Sequence, residues 1–136
     1  MNCGVTYSSV TLLDIDGVSF FSKSSSDEWS DLYMSTKLYQ KCHLLKEALN
    51  QINYQSNGFV FLWDNFSPTN EESLYLDHLR VEKNICHGVA FCSPLTNGNK
   101  AIITVAGKNS DINFSKQALR NKSIIYRAVM KSLVTD

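Results

Sequence analysis

Residues 29–63 read WSDLYMSTKLYQKCHLLKEALNQINYQSNGFVFLW, with a tryptophan at each end. Trp29 and Tyr33 are four positions apart, so they share one face of a helix. Trp63 ends an apolar run, 59–63, that is typical of a buried strand. Two indoles and a phenol from separate elements predict an aromatic chamber for a small ligand with an apolar body and a few acceptor atoms. The alternative is that all three are ordinary core residues, which is the more common role of aromatic pairs at helical spacing.

The segments on either side of this stretch alternate between strand and helix patterns. The Asn97-Gly98 pair is the strongest short hairpin signal in the chain. Five short strands, joined partly by hairpins and separated by helices, predict an α+β fold, with a five-stranded antiparallel sheet and helices on its faces. The predicted strands lie at about 5–13, 18–21, 59–63, 88–93 and 101–106, and the predicted helices at about 28–35, 38–52, 70–83 and 114–134.

Two of these helices have a recognisable apolar side. In the helix at 70–83, we expect Tyr75, Leu76 and Leu79 to form the inner face. The helix at 114–134 has basic residues on its solvated side. Its apolar positions are Leu119, Ile124, Ile125, Ala128, Val129 and Leu133.

The composition is that of a single domain without a strongly charged surface. The chain has 136 residues, of which 43% are hydrophobic, and this is enough for a core without a metal or disulfide. With 13 basic and 13 acidic residues, it has no electrostatic footprint for nucleic acid. No apolar run approaches the roughly 18 residues of a membrane span, and the first ten residues lack signal-peptide features. We therefore expect a cytoplasmic protein with no membrane partner and no direct DNA binding.

The four cysteines, at positions 3, 42, 86 and 92, are expected to be reduced thiols. The adjacent pairs Cys42-His43 and Cys86-His87 suggest a zinc site at first sight. Neighbouring residues on a helix or strand point in different directions, however, and zinc ligands usually come in short loops of matched spacing. We expect no metal and no other cofactor.

Four features together resemble a known family. They are the Trp29-x₃-Tyr33 motif, the position nine residues after the tyrosine (here Cys42), the later Trp63, and a glycine-containing hairpin. That hairpin begins with CHGVAFCSPL at 86–95 and continues through the Asn-Gly turn to AIITVA at 101–106. Over about 5–134, the chain resembles the ligand-binding domain of LuxR-type quorum-sensing transcription factors, which are acyl-homoserine lactone receptors.

The resemblance implies an α/β/α sandwich of the PAS/GAF-like autoinducer-binding type and a ligand-binding role for five residues. Trp29 is expected to stack on the apolar part of the ligand, and Thr104 falls where a pocket serine or threonine often sits. Tyr33 O–H and Trp63 N–H are expected to meet ligand carbonyl oxygens. Cys42 stands where the family has the aspartate that accepts the ligand's amide N–H.

The departures from the family pattern shape the expected function. The aspartate and the proline after it are replaced by Cys42 and His43, and the helix-turn-helix that binds DNA in the family is missing. We therefore expect a single sensor domain over 1–136, without a DNA-binding domain. Such a domain is expected to form a homodimer, or a heterodimer with a full-length LuxR-type regulator that it modulates.

Two other classes of function compete with the sensor interpretation. A ligand-free interaction module on the same fold would fill the former pocket with aromatics and present its C-terminal helix to a partner. An enzyme is the third class and is not expected. A Cys–His nucleophile needs a spatial pair and an orienting group, and neither Cys-His pair carries a family signature.

Overall fold

Five strands form one antiparallel sheet in the computed structural model, which describes residues 4–16, 19–35, 44, 47, 48, 50, 51 and 59–133. The strands are β1 (Tyr7–Leu13), β2 (Ser19–Ser24), β3 (Phe59–Leu62), β4 (Cys86–Pro94) and β5 (Lys100–Gly107). Their order across the sheet is β2-β1-β5-β4-β3, so β1, β5 and β4 each have two neighbours. The β4–β5 hairpin turns at Asn97 (φ 61°) and Gly98 (φ 79°), as the Asn-Gly pair predicts.

The α-helices with fully described backbones are α1 (Asp27–Ser35), α2 (Glu71–Glu82), α3 (Phe114–Arg120) and α4 (Lys122–Leu133). Residues 44, 47, 48, 50 and 51 are also helical, within the predicted 38–52 segment. The serine before α1, Ser26, accepts a hydrogen bond from the backbone N–H of Trp29. At the start of α2, Asn70 accepts from the N–H of Ser73 at 2.8 Å. Both are N-cap bonds, which satisfy backbone donors that a helix start leaves unpaired.

Helices cover both faces of the sheet, which confirms the predicted α/β/α architecture. On one side, here called the inner face, α1 and α2 pack on a cluster that includes Trp29 and Leu76. On the other side, the outer face, α3 and α4 pack on a cluster that includes Phe114 and Ile125. Side chains alternate along each strand, so neighbouring residues of one strand serve different clusters. We call these groups the inner cluster and the outer cluster.

Several predicted element boundaries differ from the structure; β2, for example, continues to Ser24 instead of ending at 21. Two other differences have an identifiable physical reason. Trp63 does not end a strand, because β3 stops at Leu62 and Trp63 begins a 3-10 turn, Trp63–Asn65. The predicted helix at 114–134 is two helices, which meet at Asn121 with φ −103° and ψ 22°. Asparagine is a weak helix former because its side chain competes for nearby backbone groups. Here its amide donates to the carbonyl of Gln117.

The predicted inner face of α2 is correct for the leucines and wrong for Tyr75. Leu76 is buried and Leu79 packs against the inner cluster, but Tyr75 is 55% exposed. Successive helical residues are about 100° apart, and the buried positions are Ser73, Leu76 and Arg80, at i, i+3 and i+7.

The last two helices contain similar misassignments. Leu119 and Ile124, predicted as apolar core positions, are 37% and 59% exposed. Ile125 and Val129 are buried as predicted, four residues apart on one face of α4. Within the part of the chain that the structure describes, no helix is long and apolar enough to cross a membrane.

Candidate functional site

The inner face of the sheet carries hydroxyl side chains at its centre. Thr104 lies in the middle of β5, opposite Ser9 on β1 and Ala90 on β4. Its side chain lies on the same face of β5 as those of Ile102 and Ala106, both members of the inner cluster. Thr104 is itself half-buried. A hydroxyl in this position can donate to and accept from a ligand lying on the sheet.

α1 brings its tryptophan to the same side. Trp29 is 4% exposed and belongs to the inner cluster. Tyr33 follows one turn later on α1, and its side chain lies outside the described residues. Cys42 also lies outside them. Of the five residues predicted for the site, the structure therefore brings Trp29, Trp63 and Thr104 to one side of the sheet.

Trp63 is held between a glycine and an arginine. A Cβ atom at Gly88 would lie 2.1 Å from Cδ2 of the indole, so the ring rests directly on the β4 backbone. On α2, Cζ of Arg80 is 5.3 Å from the ring centroid, which is cation–π distance. Arg80 also pairs with Asp77, its Nη1 donating to Oδ1 at 2.8 Å. These contacts fix the position of the indole.

A cleft of about 240 Å³ opens beside Trp63. It lies between the C-terminal half of α2, the turn after β3 and the loop after β5. Two of its lining residues, Leu44 and Ile85, are also members of the inner cluster, to which Trp29 belongs. Its polar lining residues include Asp64, Asp77, Arg80, His87 and Asn109. A lining that combines apolar and polar side chains suits a ligand with an apolar body and one polar end.

His87 ties three segments together at the mouth of the cleft. Its Nδ1 is 2.9 Å from Oδ2 of Asp64, and its Nε2 is 2.9 Å from the carbonyl oxygen of Asn109. His87 has φ 54° and lies in a bulge of β4, where the pairing with β5 shifts register. Ser115, in α3, donates to the His87 carbonyl oxygen. The bulge thus turns the imidazole between two acceptors.

Both acceptors favour the doubly protonated imidazole. Burial lowers the pKa of His87, but hydrogen bonds to the Asn109 carbonyl and Asp64, with the charges of Asp64 and Asp111, outweigh burial and raise the pKa above its ordinary 6.5. A neutral imidazole has one N–H and can donate to one of the two acceptors, whereas the imidazolium donates to both. His87 therefore stabilises the fold more when it is protonated.

Replacing His87 with asparagine is expected to change how stability depends on pH. Asparagine tolerates a positive φ, so the bulge can persist without the imidazole. In the natural chain, the contribution of His87 is fully present below 6.5 and is lost as pH rises through the raised pKa. Urea unfolding at a series of pH values should show this loss in the natural chain and not in His87→Asn. His78→Asn, at an exposed position on α2, is the matched control. The same pH dependence in all three proteins would contradict the assignment.

The two thiols among the described residues, of which Cys86 lines the cleft, are poor nucleophiles. Cys86 and Cys92 are free and buried, as expected for reduced thiols. Burial raises the pKa of the Cys86 thiol, and the negative charges of Asp64 and Asp77 raise it further. Burial likewise raises the pKa of Cys92. A thiol acts as a nucleophile or metal ligand in its deprotonated form, which these surroundings disfavour. Within the described residues, no three or more potential metal ligands gather in one place.

The polar residues of the cleft, among them Arg80 and His87, were not predicted as part of the site. Arg80 has a sequence signal, because it follows Leu76 at helical spacing and so falls on the inner stripe of α2. His87 has none, because its orientation depends on a left-handed residue in a bulge and on two loops distant in sequence.

Comparison with known proteins gives one family and several related folds. A family model described as the autoinducer binding domain matches residues 2–128. A search of curated proteins found no match.

Three solved structures resemble the chain in fold. For the N-acylhomoserine lactone-dependent LuxR family transcription factor CepR2 from Burkholderia cenocepacia, the TM-score is 0.62 at 13% identity, covering 98% of this chain and 80% of that chain. For SdiA from Escherichia coli, the TM-score is 0.54 at 11% identity, covering 93% of this chain and 57% of that chain. SdiA in complex with octanoyl-rac-glycerol gives 0.54 at 11% identity, covering 91% and 55%. The chain thus spans a little more than half the length of the SdiA chains.

Proposed function

Because the chain belongs to the autoinducer-binding domain family, we propose that it is a small-molecule sensor domain of a LuxR-type transcriptional regulator. The observation that carries this proposal is the placement of Trp29, Trp63 and Thr104 on the inner side of the sheet, where Trp63 also lines a cleft. A ligand buried there adds apolar contacts to the inner face and stabilises the folded domain by mass action.

Each proposed ligand contact follows from the chemistry of the side chain. Trp29 stacks on the apolar part of the ligand, and Thr104 offers a hydroxyl from the centre of the sheet. Trp63 N–H and Tyr33 O–H donate to carbonyl oxygens of the ligand. Cys42 is a weak acceptor, so an amide N–H near it stays without a strong partner.

This set of contacts favours an uncharged acyl compound that lacks an amide N–H. An acylglycerol has these properties, because it combines an apolar chain with an ester carbonyl and hydroxyl groups. One of the similar structures is SdiA in complex with octanoyl-rac-glycerol. We include this compound as the first probe for the present chain.

Dimerisation is the second part of the proposal. The domain pairs with another copy or with a full-length LuxR-type regulator, which it modulates. In support, Leu119 of α3 and Ile124 of α4 lie partly exposed on adjoining helices, where a partner can cover them. If the domain binds no ligand, this interaction remains as the alternative function on the same fold.

The sensor proposal is tested by calorimetry and thermal shift with uncharged acyl compounds, beginning with octanoylglycerol. We expect saturable binding and a rise in melting temperature. Stabilisation amounts to about 2.7 kcal/mol when the free ligand is at about 100 times its Kd. Thr104→Val removes one hydroxyl at nearly constant volume and should weaken binding about two- to tenfold. Thr69→Val, in the exposed loop before α2, is the control. Absence of binding by every compound would refute the sensor function in favour of the ligand-free module.

A further inference from the structure

Arg80 is a buried cation on the inner side of α2. Its side chain is 6% exposed, and that of its partner Asp77 is 32% exposed. A buried charge is costly unless it is paired and hydrogen-bonded. The ion pair and the indole of Trp63 hold the guanidinium against the wall of the cleft. A planar guanidinium carries five N–H groups in a fixed fork, so it can donate to several acceptors at once.

The charges of the cleft discriminate between classes of ligand. Its lining includes two carboxylates, Asp64 and Asp77, and one guanidinium, Arg80. His87 adds a positive charge when protonated, so the lining is at most neutral. A ligand carboxylate or phosphate placed there would meet Arg80 but also lie close to two carboxylates, which repel it. An uncharged ligand avoids that repulsion.

We propose that Arg80 determines ligand specificity by binding the polar end of an uncharged, hydroxylated acyl compound such as a polyol ester. The guanidinium donates to a carbonyl or hydroxyl oxygen of the ligand. Ligand hydroxyl hydrogens are directed to the carboxylates of Asp77 and Asp64, and the acyl chain runs past Leu44 and Ile85 toward the inner cluster. This assignment rests on the proposed sensor function and specifies the class of ligand for that site.

The test compares two probes that share one acyl chain, octanoylglycerol and octanoate. By calorimetry, we expect the natural chain to bind the uncharged ester at least about tenfold more tightly than the anion. Arg80→Met should weaken binding of the ester about tenfold or more, the usual effect of losing a charge-assisted hydrogen bond. Arg80→Lys keeps the charge but not the forked guanidinium, so its affinity for the ester should lie between those of the natural chain and Arg80→Met. Arg120→Met, at an exposed position on α3, is the matched control.

A folding defect is separated from a binding defect by a second variant. Arg80→Met leaves Asp77 without its cation, whereas Arg80→Met/Asp77→Asn removes both charges and the repulsion between a ligand anion and Asp77. The double variant should fold, bind the ester about tenfold more weakly than the natural chain, and lose most of the discrimination between the two probes.

The outcomes separate this assignment from the sensor function itself. Octanoate binding as tightly as the ester, or unchanged ester binding in both Arg80→Met variants, would overturn the role of Arg80 while leaving a sensor domain. Binding of another uncharged acyl compound by the natural chain, without binding of octanoylglycerol, would also overturn the role of Arg80 alone. Absence of binding by any acyl compound would overturn both proposals.

Discussion

Replacing Gly88 with alanine is expected to lower the free energy of unfolding by about 3 kcal/mol. The added Cβ would lie 2.1 Å from Cδ2 and 2.3 Å from Cε3 of Trp63, far inside van der Waals contact. The obstacle is a rigid ring rather than the end of a flexible side chain, so the indole or the β4 backbone must move. A displaced indole also loses its contact with Arg80, which contributes about 0.5–2 kcal/mol. Urea unfolding of the natural chain and the variant measures the difference.

A double-mutant cycle shows whether Trp63 is the cause. Trp63→Leu removes the ring that the new methyl group would strike. In Gly88→Ala/Trp63→Leu, the cost of the alanine should therefore be much smaller than in the natural chain, which is a non-additive result typical of residues in contact. Equal cost of the alanine with and without Trp63 would show that the close approach of β4 to the ring is not what requires glycine.

Replacing Cys42 with aspartate is expected to raise the affinity for acyl-homoserine lactones by about two to four decades. The LuxR-type pattern has an aspartate at this position to accept the ligand's amide N–H, a charge-assisted bond that contributes roughly 1.5–3 kcal/mol. In the natural chain, we expect that amide hydrogen to be buried without a strong acceptor, at a cost of roughly 1–3 kcal/mol. The natural chain should therefore not prefer these lactones.

Titration of both proteins with a panel of acyl-homoserine lactones tests this expectation. Cys42→Asn is the matched control, because it offers an acceptor of similar size without the negative charge and should gain less affinity. Submicromolar binding of any such lactone by the natural chain would contradict this expectation. A gain of affinity in Cys42→Asp alone would support the expectation. It would also indicate that the aromatic residues still form a working site.

The general architecture could be predicted because it depends on local patterns. Alternating apolar residues define the strands, and the Asn97-Gly98 turn fixes the β4–β5 hairpin. Caps at Ser26 and Asn70 begin two helices. The family match confirms the LuxR-type resemblance, and membership in a family of receptor domains confirms that an enzyme was not to be expected.

The errors arise where tertiary contacts override local patterns. Trp63 continues an apolar run and therefore looks like a strand residue, but its ring turns onto Gly88 in a 3-10 turn. The sequence gives only a weak signal for the break at Asn121, because a single asparagine lowers helix propensity without necessarily ending a helix. Tyr75 is apolar enough to be placed inside, although the buried stripe passes through Arg80 instead.

The candidate site could be predicted in part for the same reason. Trp29, Trp63 and Thr104 were identified from spacing and resemblance, and the structure places all three on the inner side of the sheet. The roles assigned to them, and to Tyr33 and Cys42, stay predictions. The pairing of His87 with two acceptors needs the bulge and two distant loops, which no local pattern encodes.

The two apolar clusters differ in how completely they are closed to solvent. The buried members of the outer cluster are at most 2% exposed, whereas those of the inner cluster reach 9%. Amide hydrogen exchange distinguishes global unfolding from local opening, and less completely buried segments open at a lower free energy. We therefore expect amides beside the inner cluster to exchange faster than amides beside the outer cluster. In the proposed sensor, such local opening on the inner side would let a ligand enter while the outer side of the sheet keeps its shape.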